Sequence, residues 1–273
     1  MMNQLKQLIS RNLFRHLLLC TSGFLIITLF AYFPCSWVIS GFKDPSVYAS
    51  NLVKSGKIRD IKIPDESEKG NDGNDQYTTG IKTPWNGEKL VVLDPGHGGI
   101  DPGTMGSGLT EKEVSLSIAL KVTALLNASG IQTIMTRDDD SFVDLKERID
   151  MANAKNAAIF LSIHCNWFSD PSLRGSMTLY YPSDTLSAGG LFEVDYAQII
   201  ENELGKIPDT NELGIVARPN LAVLHHANMP SIIAELGFLS NTKDAQILGS
   251  ESYRQKYALA LFKGVKKALD KID

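Results

Sequence analysis

From Lys89 to Asp273, short apolar runs alternate with amphipathic stretches of 10–17 residues, and this rhythm restricts the fold more than any other feature. Leu90–Leu93, Thr133–Thr136, Ala158–Ile163, Ser176–Tyr181 and Ser231–Ala234 read as strands. Val114–Leu126, Leu145–Ala154, Leu191–Leu204 and Tyr253–Leu269 read as helices. In Val114–Leu126 the positions at helical spacing are Leu116, Ala119, Leu120 and Thr123. Strands apolar on both sides must be covered on both, and parallel neighbours need long crossovers. The pattern predicts one α/β domain over 89–273, with a mostly parallel central sheet flanked by helices on both faces.

The first 88 residues follow other rules. Residues 1–40 carry Lys6, Arg11 and Arg15 and no acid, and Leu17–Phe33 is uncharged. The apolar stretch Leu17–Ile39 is 23 residues long, enough to cross a bilayer core as a tilted helix. With the cations on its N-terminal side, 1–40 is expected to be a cytoplasmic stub and transmembrane anchor in the cytoplasmic membrane, everything after Phe42 facing outward. The rival is a cleaved export signal, for which Tyr32–Trp37 offers no good small-x-small site. Residues 41–88 hold seven Lys/Arg and eight Asp/Glu, with Asp65–Gly80 rich in Asp, Asn, Gly and Ser, and read as a polar linker.

Composition excludes some functions. A net charge of −4 gives no basic face for a phosphate backbone, so nucleic acid is not an expected partner. Three cysteines, Cys20, Cys35 and Cys165, make no disulfide framework. With 185 residues the outer domain has enough core to stand as a monomer.

In open α/β sheets, sites gather beyond the carboxyl ends of strands. Leu90–Leu93 runs into Asp94-Pro95-Gly96-His97-Gly98-Gly99, Ala158–Ile163 ends at His164, and Ser231–Ala234 ends at Glu235. Two imidazoles and a carboxylate on one rim suit a divalent metal, zinc foremost. The third ligand is open at this level. Thr110-x-x-Glu113 has the form of a capping box, which would occupy Glu113 with the backbone and leave Glu111 to face the rim. Glu111 suits the dipole of the helix N-terminus equally well. Glu235 follows Ile232, Ile233 and Ala234, a desolvating setting that raises a carboxyl pKa toward the range of a general base or acid.

Taken together, these segments resemble the zinc-dependent N-acetylmuramoyl-L-alanine amidases of the amidase_3 type. The strings are Val92-Leu93-Asp94-Pro95-Gly96-His97-Gly98-Gly99, Gly108-Leu109-Thr110-Glu111-Lys112-Glu113 and Thr136-Arg137. The Leu145/Arg148/Ala152-Asn153 pattern, Ser162-Ile163-His164-Cys165-Asn166 and Glu235-Leu236-Gly237-Phe238-Leu239-Ser240-Asn241 follow in order. The resemblance implies Zn2+ held by His97, Glu111 and His164, with Glu235 as the catalytic carboxylate. It implies hydrolysis of the peptidoglycan amide between N-acetylmuramic acid and the L-alanine of the stem peptide. Anchor, linker and bare catalytic domain also resemble the spore-associated members.

Cys165 stands where such enzymes often have alanine, and His225 and His226 where they commonly have an arginine and a variable residue. Alternation on a strand turns Cys165 away from the face of His164, so it reads as a buried filler, and the two histidines as structural or rim residues. Only 70 residues separate His164 from Glu235, too few for the inserted helix with which some members plug their own zinc. The competing functions are an idle membrane-anchored wall-binding module and a zinc peptidase cutting within the stem peptide. The sequence points to no protein activator.

Overall fold

The computed structural model describes residues 86–183 and 189–272. The expected anchor and nearly all of the expected linker lie outside the described residues. No helix among those described is long and apolar enough to cross a membrane.

A six-stranded sheet forms the centre, with the strands β1 (Val91–Pro95), β4 (Thr133–Met135), β5 (Ile159–Asn166), β6 (Ser176–Tyr180), β7 (Glu212–Ala217) and β8 (Ser231–Phe238). Their order across the sheet is β4-β1-β5-β8-β6-β7. The first four are mutually parallel, while β6 runs antiparallel to β8 and parallel to β7. A separate two-stranded hairpin, β2 (Met105–Gly106) and β3 (Leu109–Thr110), precedes the first helix. The helices are α1 (Glu111–Ala128), α2 (Leu145–Ala154), α3 (Glu193–Leu204), α4 (Ala222–His225), α5 (Thr242–Gly249) and α6 (Glu251–Leu269).

Period-two alternation sends each strand's side chains into two cores. Val91, Leu93, Ile159, Leu161, Ile163, Cys165, Ile232 and Ala234 pack with α1, α3 and α6 on one face. Val92 and Phe160 meet Ile149 and Ala152 of α2 on the other, where Ile233 and Phe238 join Val223 and Leu224 of α4. The expected mostly parallel sheet with helices on both faces is what the chain builds.

Several expectations shift. Strand β7 and helix α5 are unforeseen, because Glu212–Ala217 contains Gly214 at φ 88 and Thr242–Gly249 is only eight residues long. His164 and Glu235 lie within β5 and β8 rather than just beyond them. The buried stripe of α1 is Val114, Ser115, Ile118, Ala119, Val122 and Leu126, and Leu120 is exposed. Glu111 sets this phase: its side chain points inward at the first turn, so positions four, seven and eleven residues later follow it.

Beneath the site lies a buried ion pair. Arg148 Nη1 donates to Asp94 Oδ1 at 2.7 Å, and the hydroxyls of Thr136 and Ser162 each donate to the same carboxylate at 2.6 Å. Burial alone would raise the Asp94 carboxyl, but the Arg148 guanidinium and the two hydroxyls outweigh it and hold it below the usual carboxylate range. Asp94→Asn leaves the Arg148 cation buried without its counter-charge, which should cost about 3–5 kcal/mol and lower Tm by roughly 6–20 °C at pH 7. A depressed pKa means the pair stabilises the fold above the unfolded value of about 3.9 and loses that contribution as pH falls through the native value. Thermal melts of wild type and Asp94→Asn should therefore converge as the pH is taken below about 4.

Candidate metal centre

Three segments bring His97, Glu111 and His164 together, with their ligand-type atoms all within 4.8 Å of one another. His97 Nε2 lies 3.1 Å from Glu111 Oε2, and His164 Nδ1 lies 2.8 Å from Glu111 Oε1. The two imidazole rings meet edge to face with centroids 5.0 Å apart.

Each position has a local cause. His97 follows β1 and adopts φ 61, a left-handed backbone that is uncommon for a residue with a Cβ. Two buried arginines hold the turn in place. Arg148 donates to the carbonyls of Pro95 at 2.8 Å and His97 at 2.7 Å. Arg137 donates to Pro95 at 3.0 Å and Gly96 at 2.7 Å. Gly96 is required by close approach, since a Cβ there would meet the His164 ring at 2.3 Å. His97 Nδ1 contacts Asp101 Oδ2 at 2.7 Å, an acid four residues onward in the same glycine-rich turn.

Glu111 opens α1, whose first amides are satisfied by the preceding loop: Glu111 N donates to Thr104 O at 2.9 Å and Lys112 N to Pro102 O at 3.2 Å. The expected capping box does not form. Thr110 Oγ1 donates instead to the Glu113 carboxylate at 2.7 Å, on the exposed side of the helix. The loop's carbonyls have taken the cap's place, and Glu111 points inward. Its oxygens accept from Thr104 N at 2.8 Å and Cys165 N at 3.0 Å besides facing both imidazoles. Burial would raise its carboxyl, but His97 and the His164 contact outweigh this and drive it far below the usual range. For His97, burial acts to lower the pKa and is outweighed by Glu111 and Asp101, which push it up to about 10.

His164 and Glu235 are direct partners in the β5–β8 register and so share one face of the sheet. Glu235 is 4% exposed, and its Oε2 has no hydrogen-bond partner. Desolvation first and the Glu111 charge second push its pKa up to about 8, against His97 and Arg218, which lower it. Two carboxylates thus stand on one site with opposite surroundings.

The donor set, two imidazoles and a carboxylate, suits zinc. Cys165 belongs to the apolar core on the far face of β5, its thiol pushed well up by burial. The His225 and His226 rings meet at a tilt with centroids 4.7 Å apart, and the His225 ring centroid lies 5.1 Å from that of Tyr181; neither belongs to the three-residue cluster. Asp101 and the carbonyl-holding role of Arg137 and Arg148 went unread in the sequence. The signal for Asp101 was its place four residues beyond His97, in a turn too short to hide its side chain from the ring.

The N-acetylmuramoyl-L-alanine amidase profile, Amidase_3, matches residues 91–267. The chain belongs to this family. Amidase LytC of Bacillus subtilis (strain 168) is 37% identical over 184 residues, which are 67% of this chain but 36% of LytC. The germination-specific N-acetylmuramoyl-L-alanine amidase of the same organism is 30% identical over 192 residues, 65% of this chain and 78% of the relative. Among solved structures, the CwlD amidase of Clostridioides difficile, in complex with the GerS lipoprotein, superposes with TM-score 0.62 at 34% identity, covering 67% of this chain and 99% of that one.

Adding one methyl group tests the geometry of the centre. Gly96→Ala should displace the His164 ring and weaken zinc binding about tenfold or more while the sheet stays folded, as read by zinc titration beside circular dichroism.

Proposed function

We propose that this chain is a zinc-dependent peptidoglycan amidase in which His97, Glu111 and His164 hold the metal and Glu235 moves the proton. The family supplies the reaction class, hydrolysis of the bond between N-acetylmuramic acid and L-alanine. The single observation that carries the residue roles is the contrast between Glu111, saturated with donors, and Glu235, buried beside it with Oε2 unpartnered.

When bound, zinc supplies Lewis-acid polarisation of the amide carbonyl and acidifies a water molecule. The protein residues do the rest. Glu111 and the two imidazoles fix the cation at the carboxyl side of the sheet. Glu235 accepts the proton of the attacking water at Oε2 and returns it to the leaving nitrogen of L-alanine, so that an amine and not an amide anion departs. Positive charge held at the neighbouring cluster acts against the desolvation that raises Glu235, favouring the ionised form a base needs. The products are an intact glycan bearing a free lactyl carboxylate and an intact peptide with a free L-alanine amino group.

Three exposed apolar side chains on the segments that carry the candidate ligands support a large amphiphilic substrate. Ile100 is 89% exposed, Met105 61% and Trp167 53%. In the sequence they stand three residues after His97, six before Glu111 and three after His164. An exposed indole is a platform for the apolar face of a sugar ring. The first 40 residues are proposed to tether the domain outside the cytoplasmic membrane, with 41–88 as the linker that lets it reach the wall. The relatives include a germination-specific enzyme, which favours a role in spore wall modification.

Mass spectrometry of sacculi digested by the purified, zinc-loaded chain should find glycan strands and peptides each whole, with new L-alanine amino termini. Cleavage inside the stem would instead identify a peptidase, and no cleavage of any peptidoglycan a wall-binding module. Glu235→Gln should cut kcat by about 10²–10⁴-fold with zinc still bound at one equivalent, and chelation should abolish wild-type activity until zinc is returned. Trp167→Ala should raise KM on polymeric glycan substrates several-fold with little change in kcat, whereas Trp167→Phe should retain most of the affinity.

A further inference from the structure

Resting on the metal-centre reading, we infer that Asp101 is a positioning residue that aims His97 and, through the same carboxylate, sets the loop that orients Glu111. The two oxygens of Asp101 are used for different partners. Oδ2 lies 2.7 Å from His97 Nδ1, and Oδ1 accepts from Gly103 N at 3.0 Å. Its backbone closes the turn as well, through Gly98 N to Asp101 O at 2.9 Å and Asp101 N to Gly98 O at 3.0 Å.

A carboxylate that only accepts hydrogen bonds fixes the identity of the imidazole nitrogen facing it. With a cation held at the cluster, His97 Nδ1 would keep its proton and donate it to Oδ2, leaving Nε2, the nitrogen that faces Glu111, to turn toward the cation. The ring stands on a left-handed backbone at φ 61, so packing along a regular strand or helix does not orient it. A second fixed point on the ring is what prevents rotation about its side-chain bonds.

The other arm leads to Glu111. Gly103, held by Asp101 Oδ1, is packed against both ligands: a Cβ there would meet Glu111 Oε2 and His97 Cδ2, each at 2.6 Å. The next residue, Thr104, donates its amide to Glu111 Oε2 at 2.8 Å. One carboxylate thus governs the direction of an imidazole directly and of a second carboxylate through two residues of backbone. The His97 and Glu111 ligand atoms share a support outside the cluster, whereas His164 is aimed by β5 itself.

Asp101→Asn has nearly the same shape but cannot accept from both partners, because its amide nitrogen only donates. With the purified full-length chain, competition against a zinc-chelating dye should show affinity falling about 10–100-fold for Asp101→Asn. Cobalt substituted for zinc should report an altered visible spectrum, and the melting temperature of the metal-free variant should stay near that of wild type. In a His97→Gln background the same Asp101→Asn change should leave zinc affinity almost unaltered, since the ring it aims is gone. Wild-type affinity in Asp101→Asn, or an equal loss in both backgrounds, overturns the proposal. If Asp101→Asn lowers metal-free stability, Asp101→Glu, which keeps both acceptors, should restore more zinc affinity than Asn does; failure to do so also overturns it. Failure of the wild-type chain to bind zinc at all would instead overturn the metal-centre reading itself.

Discussion

The Asp94–Arg148 ion pair is the interaction on which the rest of the site depends. Arg148 is 2% exposed, and besides the Asp94 carboxylate it holds three carbonyls, those of Val143, Pro95 and His97. A buried guanidinium is costly unless every direction of its fork is satisfied, and here the partners that satisfy it are the turn that carries His97. The charge of Asp94 keeps Arg148 in the core, and Arg148 fixes the left-handed backbone of His97. Arg137 repeats the device from β4's end, gripping Pro95, Gly96 and the Lys112 carbonyl on α1. The start of α1 is thereby tied to the His97 turn without either segment belonging to a common sheet.

Convergence of the cluster comes from topology as much as from side chains. His97 follows β1, His164 lies in the adjacent parallel strand β5, and Glu111 drops in from the helix that follows the hairpin. That hairpin is seated by close backbone approach: a Cβ at Gly106 would strike the Leu239 carbonyl at 1.9 Å, while Leu239 N donates to Asn166 O at 2.9 Å. The carboxyl ends of β5 and β8 thus provide the floor on which the segment leading to Glu111 rests. Parallel β1, β5 and β8 deliver their functional groups on one side, and antiparallel β6 completes the sheet beyond the site.

Much of this was legible in the chain. The apolar runs of β1, β5 and β8 are unambiguous because strands covered on both faces tolerate little polarity, and the polar residues interrupting them stand out. His97, His164 and Glu235 were found by that contrast. The features that escaped were set by long-range partners. Whether Thr110 caps Glu113 or the loop carbonyls cap the helix depends on where residues 101–104 fold back, which local spacing does not encode. The buried phase of α1 was misread for a related reason: Leu116 and Leu120 are as apolar as Val114 and Ile118, and the inward direction of Glu111 decides between them. Among the described residues strand β7 lies at the sheet edge and pairs only with β6, so its sequence, broken by Gly214, carries a weak pattern.

Glu111 and Glu235 are both nearly inaccessible, at 3% and 4% exposure, yet their carboxyl groups are driven in opposite directions. Desolvation raises both, so burial cannot be what separates them. Donors separate them: Glu111 faces two imidazoles and two backbone amides, whereas Glu235 Oε2 meets none. Once Glu111 is ionised its own charge raises Glu235 further, so the first carboxylate helps to define the second. Two groups of one chemical kind are thereby held apart in proton affinity, Glu111 below and Glu235 above the usual carboxylate range. The division needs no difference in residue type, only a helix N-terminus that brings Glu111 to the amides of Thr104 and Cys165 and a β-strand that does not bring Glu235 to any.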